Sequence, residues 1–194
     1  MSSLIVGDDG RARCVWAGRD AEYQRYHDEE WGTPLHGDRP LFEKLSLEGF
    51  QAGLSWITIL RRRPTFRAAF RDFDIDAVAA FDEHDFERLM ADPGIIRNRL
   101  KVEATISNAR VTQALVSTHP GALDDLIWSF APPRREHPPA SLNELPAVTA
   151  ESTALSKQLK KLGYRFVGPT TIYALMQSGG LVDDHVAGCW RSSS

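Results

Sequence analysis

The stretch VDDHVAGCW, residues 182–190, places His185 and Cys189 four positions apart. At i and i+4 two side chains share a helical face or span a tight turn, close enough to ligate one tetrahedral ion. Two more ligands are needed, and RCVWAGRDAEYQRYHDEEWG near the other end of the chain supplies Cys14 and His27. That Cys2His2 set uses both cysteines of the protein. Four protein ligands fill a tetrahedron and leave no position for water or substrate, so such an ion would be structural and would staple the two chain ends together. A Cys14–Cys189 disulfide or two unrelated buried thiols are the competing readings, because the Cys14/His27 spacing is not a strong signal by itself.

A second group lies in LSLEGFQAGLSWITILRRR, residues 45–63, where Glu48 is the only acid between Glu43 and Asp72 and is surrounded by apolar and small residues. A carboxylate in such a setting is costly unless it is paired or hydrogen-bonded, so Glu48 either caps a structural network or faces a ligand with donors to offer. Trp56 follows eight residues on, and Trp16, Tyr23, Tyr26 and Trp31 crowd the N-terminal segment. These rings form either an aromatic core cluster or a slot that sandwiches a flat heteroaromatic base.

The third group is LKKLGYRFVGPTTIYALMQSGGLVDDH, residues 159–185. A helix ends at Gly163, a short hydrophobic turn follows, and Gly168-Pro169 opens the next helix, whose free amides would suit a phosphate. An ordinary helical hairpin is the alternative. Basic residues gather at Arg61, Arg62, Arg63 and Arg67, at Arg97, Arg99 and Lys101, and at Lys160, Lys161 and Arg165. On a chain of net charge -3 these three clusters suggest a local track for a polyanion, although each alone reads as a solvated face.

The elements that must position these groups read as helices. Apolar residues recur at helical spacing in Ile75/Val78/Phe81, Phe86/Leu89/Met90, Val102/Ile106/Ala109, Leu123/Leu126/Ile127, Leu155/Leu159/Leu162 and Ile172/Leu175/Met176, while alternating patterns are scarce. Asp38 ahead of Pro40, Asp82 ahead of DFERLM and Pro169 act as start signals. An all-α fold in a single domain, 1–194, is expected. The proline-rich APPRREHPPASLNELP, 131–146, reads as a surface connection between helices, and the residues before Arg13 and the final serines as loosely held ends. With 42% hydrophobic and 25% charged residues the chain can build a normal core, no apolar run reaches membrane-spanning length, and the start lacks the apolar stretch of a signal peptide. A cytoplasmic protein without a disulfide framework is expected.

Taken together, RCVWAGRDAEYQRYHDEEWG, LEGFQAGLSWITIL, GIIRNRLK, FVGPTTIYALMQSGGL and VDDHVAGC resemble the bacterial Tag-type 3-methyladenine DNA glycosylases I of the helix-hairpin-helix glycosylase superfamily, over about Arg13 to Cys189. The resemblance implies a helix-hairpin-helix unit near 155–179 and a zinc-stapled lobe built from about 13–35 and 180–190. It makes Cys14, His27, His185 and Cys189 the ligands of one structural zinc. It makes Glu48 the carboxylate that recognises the methylated base, with Tyr26 and Trp56 as pocket walls and Trp16, Tyr23 and Trp31 close around them. It assigns the hairpin Phe166, Val167, Gly168 and Thr170 to a DNA phosphate, and Gly53-Leu54 to the gap left by the extruded nucleotide.

What the resemblance implies functionally is excision of 3-methyladenine from alkylated double-stranded DNA by a monomer, releasing free 3-methyladenine and leaving an abasic site. The lyase branch of the superfamily carries a Lys just after the hairpin glycine; here Gly168-Pro169-Thr170-Thr171 offers no Schiff-base amine, so a monofunctional enzyme is expected. Asp183 and Asp184 stand near the point where many members carry a catalytic Asp, and Asp184 is kept as a candidate. A non-catalytic binder of alkylation damage on the same scaffold and a zinc hydrolase are the alternative functions.

Overall fold

The computed structural model describes residues 2–192. Among these, helical spacing is realised in nine α-helices: α1 (Ala21–Glu29), α2 (Asp38–Gln51), α3 (Trp56–Ala69), α4 (Ile75–Ala79), α5 (Glu83–Ala91), α6 (Arg99–Val116), α7 (Ala122–Trp128), α8 (Ala150–Leu162) and α9 (Pro169–Ser178). Their starts are chemically specified. Asp20, Asp74, Asp82 and Asn98 each accept a hydrogen bond from the backbone amide three residues on, and Thr149 with Ser152 closes a reciprocal box at the start of α8. Pro169 opens α9, as expected. Asp38 does something else: its carboxylate accepts from the amides of Gly121, Leu123 and Asp124, capping α7 from a distant segment.

One expectation fails at the N-terminus. The residues before Arg13 are not a loose end: β1 (Leu4–Val6) pairs antiparallel with β2 (Ala12–Cys14), Ile5 opposite Arg13. The hairpin is anchored because the amide of Trp190 donates to Ala12 O at 2.8 Å, so the C-terminal tail docks on it. Of the closing serines, Ser193 and Ser194 lie outside the described residues.

The organising element is α2. From Lys44 to Phe50 every residue is buried, polar ones included, as are Leu41 and Phe42. A helix covered on all sides has no solvated face on which to put its charges. Glu48 and Lys44 are therefore interior groups by placement, not by composition. α2 packs against α3, α6, α7 and α9. Around it Phe50, Phe66, Phe70, Phe73 and Phe81 form a chain of ring contacts at 4.7 to 6.4 Å. α8 and α9 pack as the two arms of the hairpin unit. No helix among the described residues is long and apolar enough to cross a membrane.

Candidate active site and metal centre

Rings from three elements meet over Glu48. Trp16 lies in a single 3₁₀ turn after β2, Tyr23 and Tyr26 face inward from α1, Trp31 follows that helix, and Trp56 begins α3. Ring centroids are 5.1 Å apart for Trp16–Tyr23, 5.0 Å for Trp16–Trp31 and 5.5 Å for Tyr26–Trp56. They enclose a cavity of about 220 Å³ whose walls also include Gln51, Gln177, Leu142 and Leu145. The two leucines come from the proline-rich connection. That segment is more than a surface link: it closes one side of the cavity, a role its composition does not announce.

Glu48 is 3% exposed. The Ser178 hydroxyl donates to its Oε1 at 2.8 Å, so α9 ties down the acid. Burial pushes the Glu48 carboxyl up to about 7, against the opposing pull of the Lys44 ammonium and the Ser178 hydrogen bond. Burial likewise raises Tyr26 well above an ordinary phenol, with the Glu48 charge adding to the effect. Trp56 Nε1 is buried and has no hydrogen-bond partner, although its ring lines the cavity. A buried donor left without a partner costs the chain free energy.

Sequence reasoning misses Lys44, Ser178 and Gln177. Lys44 carries one available signal, the i to i+4 spacing to Glu48 on a helix. Ser178 and Gln177 carry none, since only the packing of α9 on α2 brings them to the acid.

The turn carrying Gly53 and Leu54 follows α2. Leu54 N donates to Gln51 O at 2.6 Å, Ala52 is at φ -46 and ψ 116, and Gly53 has φ +82, a type II turn whose third position requires glycine. Leu54 is 41% exposed, one of the few large apolar side chains left to solvent among the described residues. In the hairpin, Val167 is buried, Gly168 caps α9 without a side-chain bond, and Phe166 adopts φ +56. The amide of Thr170, at the start of α9, has no partner within the helix by position.

The basic clusters divide. Arg61 is paired with Asp20, Arg63 with Glu30 and Arg67 with Glu43, while Arg62 donates to Pro93 O at 2.8 Å. Arg63 is the most buried of the group, while Arg61 and Arg67 keep much of their surface in solvent. Arg97, Arg99, Lys160, Lys161 and Arg165 are exposed, whereas Lys101 is buried.

Beside the cavity walls Trp16 and Trp31, whose rings lie 5.2 Å from His27 and 4.6 Å from His185 respectively, ligand atoms of Cys14, His27 and Cys189 all lie within 4.8 Å of one another, and all three residues are buried. The two thiols are free, not bridged. His185 is adjacent to this triad: its ring stands edge-on to His27 at 4.9 Å, and its Nε2 is buried without a hydrogen-bond partner. Gly32 makes room for it, since a Cβ there would come within 2.9 Å of His185 Cε1. Each histidine is oriented by a carboxylate close to it in the sequence. His27 Nδ1 bonds Asp28 Oδ1 at 2.9 Å and His185 Nδ1 bonds Asp183 Oδ1 at 2.8 Å. Asp28 in turn accepts from Arg13 Nε at 2.9 Å and from Trp190 Nε1 at 3.0 Å. Two thiols, two imidazoles with their outer nitrogens already committed, and an orphaned buried nitrogen fit a soft divalent ion.

Asp184 is fully buried and does not line the cavity. It accepts from the Tyr173 hydroxyl and from Gln177 Nε2 at 2.8 Å, and pairs with Arg135 at 3.1 Å. It ties the tail to α9 and to the proline-rich connection, and touches the cavity only through Gln177.

A mainly helical, hairpin-bearing scaffold with a buried acid under a box of rings fits a protein of the helix-hairpin-helix glycosylase class. The chain belongs to the methyladenine glycosylase family, whose model matches residues 16–192. It is 48% identical over 182 residues to the DNA-3-methyladenine glycosylase 1 of Escherichia coli (strain K12), covering 91% of this chain and 95% of that protein. A crystal structure of 3-methyladenine DNA glycosylase I superimposes with a TM-score of 0.89 at 47% identity, covering 93% of this chain and all of that one. A substituted 3-methyladenine DNA glycosylase I in complex with 3-methyladenine matches with a TM-score of 0.87 at 33% identity, over 94% of this chain and 98% of that one.

Proposed function

We propose that this chain is a monofunctional 3-methyladenine DNA glycosylase, acting as a monomer on alkylated duplex DNA. The observation that carries this reading is the placement of Glu48: a buried carboxylate, hydrogen-bonded on one side by Ser178, beneath a cavity walled by Trp16, Tyr23, Tyr26, Trp31 and Trp56. The cost of burying such a charge is offset when a ligand of opposite charge arrives.

Methylation at N3 makes adenine cationic and weakens its bond to the sugar, so the base can depart without a strong general acid. The duplex extrudes the lesion, at a cost of a few kcal/mol that is smallest for a damaged base. The rings stack on it and exclude water from its faces, and the anionic Glu48 favours the cation over neutral adenine. As the C1′–N9 bond breaks, its electron pair goes to the base, which leaves neutral. Water adds hydroxide to C1′ and its remaining proton passes to solvent, leaving an abasic site. No lysine follows the hairpin glycine, so the sugar is not captured as a Schiff base.

Cys14, His27, His185 and Cys189 are the residues that would hold a zinc ion. With four protein ligands it would supply no Lewis-acid chemistry to the reaction and would join the β-hairpin, α1 and the tail.

The test is release of free base from methylated DNA by the wild type and by Glu48→Gln. Release by the first and at least a hundredfold less by the second is expected. Equal release by both removes Glu48 from its role, and binding without release by the wild type leaves a non-catalytic damage binder.

A further inference from the structure

The two segments read as DNA contacts, the Gly53–Leu54 turn and the Phe166–Thr170 hairpin, are anchored by one helix. Lys101 of α6 donates from Nζ to Phe50 O at 2.8 Å and to Ala52 O at 2.6 Å. These carbonyls end α2 and begin the turn. Seven residues on, Asn108 grips the backbone of Arg165 from both sides: its Nδ2 donates to Arg165 O at 3.0 Å, and its Oδ1 accepts from Arg165 N at 2.8 Å. A separation of seven residues is two turns less about 20°, so both side chains leave the same face of α6, about 10 Å apart along its axis.

The anchors flank a narrow crevice of about 10 Å³, lined also by Ser46, Gly49, Thr105 and Phe166. A Cβ on Gly49 would lie 3.5 Å from Phe166 Cβ, so α2 and the hairpin are already in near contact. Ser156 of α8 holds the next residue of the hairpin, donating to Val167 O at 2.6 Å. Within the turn Leu54 N donates to Gln51 O, Ser55 at its far end is tied to Thr58, and residues 52–55 are exposed. Lys101 fixes the near end, at the close of α2.

A buried ammonium is a costly way to build a merely structural tie. Lys101 is 8% exposed, and burial pulls its pKa down. What favours a cation here is its position at the C-terminus of α2, where unpaired carbonyls carry the negative end of the helix dipole and one ammonium can satisfy two of them. A neutral side chain of that length offers fewer donors.

We propose that Lys101 and Asn108 are positioning residues that set the distance and register between the two DNA-contacting segments. A phosphate held by the hairpin then places Leu54 opposite the gap from which the nucleotide leaves. The proposal rests on the reading of both segments as DNA contacts, and neither residue touches the base.

The experiment compares Lys101→Met, Lys101→Arg, Asn108→Ala, Leu54→Ala and the Lys101→Met/Leu54→Ala double variant. Three quantities are measured: single-turnover base release from methylated duplex, binding of free 3-methyladenine, and the salt dependence of binding to a duplex carrying a tetrahydrofuran abasic analogue. Lys101→Met and Asn108→Ala should each lower base release at least tenfold and leave free 3-methyladenine binding within twofold of wild type. Lys101→Arg should recover most of the loss. The double variant should be no worse than Leu54→Ala alone, because both substitutions disable the same turn. The salt slope of Lys101→Met should equal that of wild type, since a residue that binds carbonyls releases no counterion.

Wild-type base release by Lys101→Met and Asn108→Ala, alongside a defective Leu54→Ala, overturns the proposal and leaves the DNA reading intact. A salt slope reduced by about one makes Lys101 a direct phosphate contact and overturns it as well. Wild-type release by Leu54→Ala defeats the reading of the turn, and the proposal with it. Should Lys101→Met fail to fold, Asn108→Ala tests the other anchor without disturbing a buried charge.

Discussion

Lys44 lies one helical turn before Glu48 on α2, with its ammonium over the rings of Tyr26, at 5.1 Å, and Trp56, at 5.2 Å. A buried cation thus sits behind two walls of a cavity whose acid it faces, and its attraction lowers the carboxyl that burial has raised. Glu30, ion-paired with Arg63, and Glu43, ion-paired with Arg67, are the other charges that act on Lys44 and its partners.

This arrangement predicts the pH dependence of excision. Glu48 must be anionic to favour a cationic base, and in the free protein its carboxyl lies near about 7. Base release should therefore fall as pH drops through that value. Lys44→Met removes the opposing cation, so the acidic limb should move upward, and Lys44→Arg should leave it in place. A pH profile of single-turnover release, read for all three proteins, checks the order.

The same carboxyl predicts an opposite trend in stability. Its folded pKa is raised above the ordinary 4.5, so its contribution to stability is full below that value and is lost as pH rises through about 7. Glu48→Gln should then melt higher than wild type at pH 8, by an amount equivalent to about 1–3 kcal/mol, and the gap should close toward pH 5. Calorimetry at the two pH values measures it; a gap that widens on acidification contradicts the assignment.

Trp56 Nε1 offers a separate test, because it is a buried donor with no partner. Trp56→Phe removes the orphan and should lower the melting temperature by no more than the packing lost with the smaller ring requires. It should weaken 3-methyladenine binding by about 1–2 kcal/mol if a ligand acceptor completes that bond. Titration calorimetry with the free base distinguishes this from an unchanged affinity, which would confine Trp56 to stacking.

If the Cys14–His27–Cys189 group holds zinc as proposed, Cys14→Ser should abolish stoichiometric zinc and strongly destabilise the fold, because that ion would join the tail to the β-hairpin. Asp28→Asn should weaken metal retention by about 10- to 100-fold without removing a ligand, because it disturbs the group that orients His27. Metal analysis after graded chelation, followed by melting, separates the two. A Cys14→Ser protein that folds normally and loses only turnover would make the metal catalytic.

Phe70 provides a control that lines neither the cavity nor the cysteine–histidine group. It is fully buried and contacts the rings of Phe50, Phe66, Phe73 and Phe81. Phe70→Ala should cost about 3–5 kcal/mol of stability while leaving base release per folded molecule unchanged. Chemical denaturation and an active-site titration would show it.

Much of this molecule was determined along the chain. The helices follow from local spacing and from side chains such as Asp82 and Asn98 that cap them within three residues, and such interactions are visible wherever partners are close in sequence. Glu48 stands out because an isolated acid in an apolar run is costly, and the chain-end ligands because sulfur and imidazole are few. Tertiary structure decided the rest. It turned Asp38 into the cap of another helix, paired three arginines of one basic cluster with acidic side chains, and brought Leu142 and Leu145 from a proline-rich connection into the cavity wall. It also set Ser178 on Glu48 across 130 positions and Lys101 beneath a turn 49 positions away. A charge or hydroxyl has no intrinsic role, because its energy depends on what desolvates it and what it meets, and both are supplied by segments that approach only when the chain has folded.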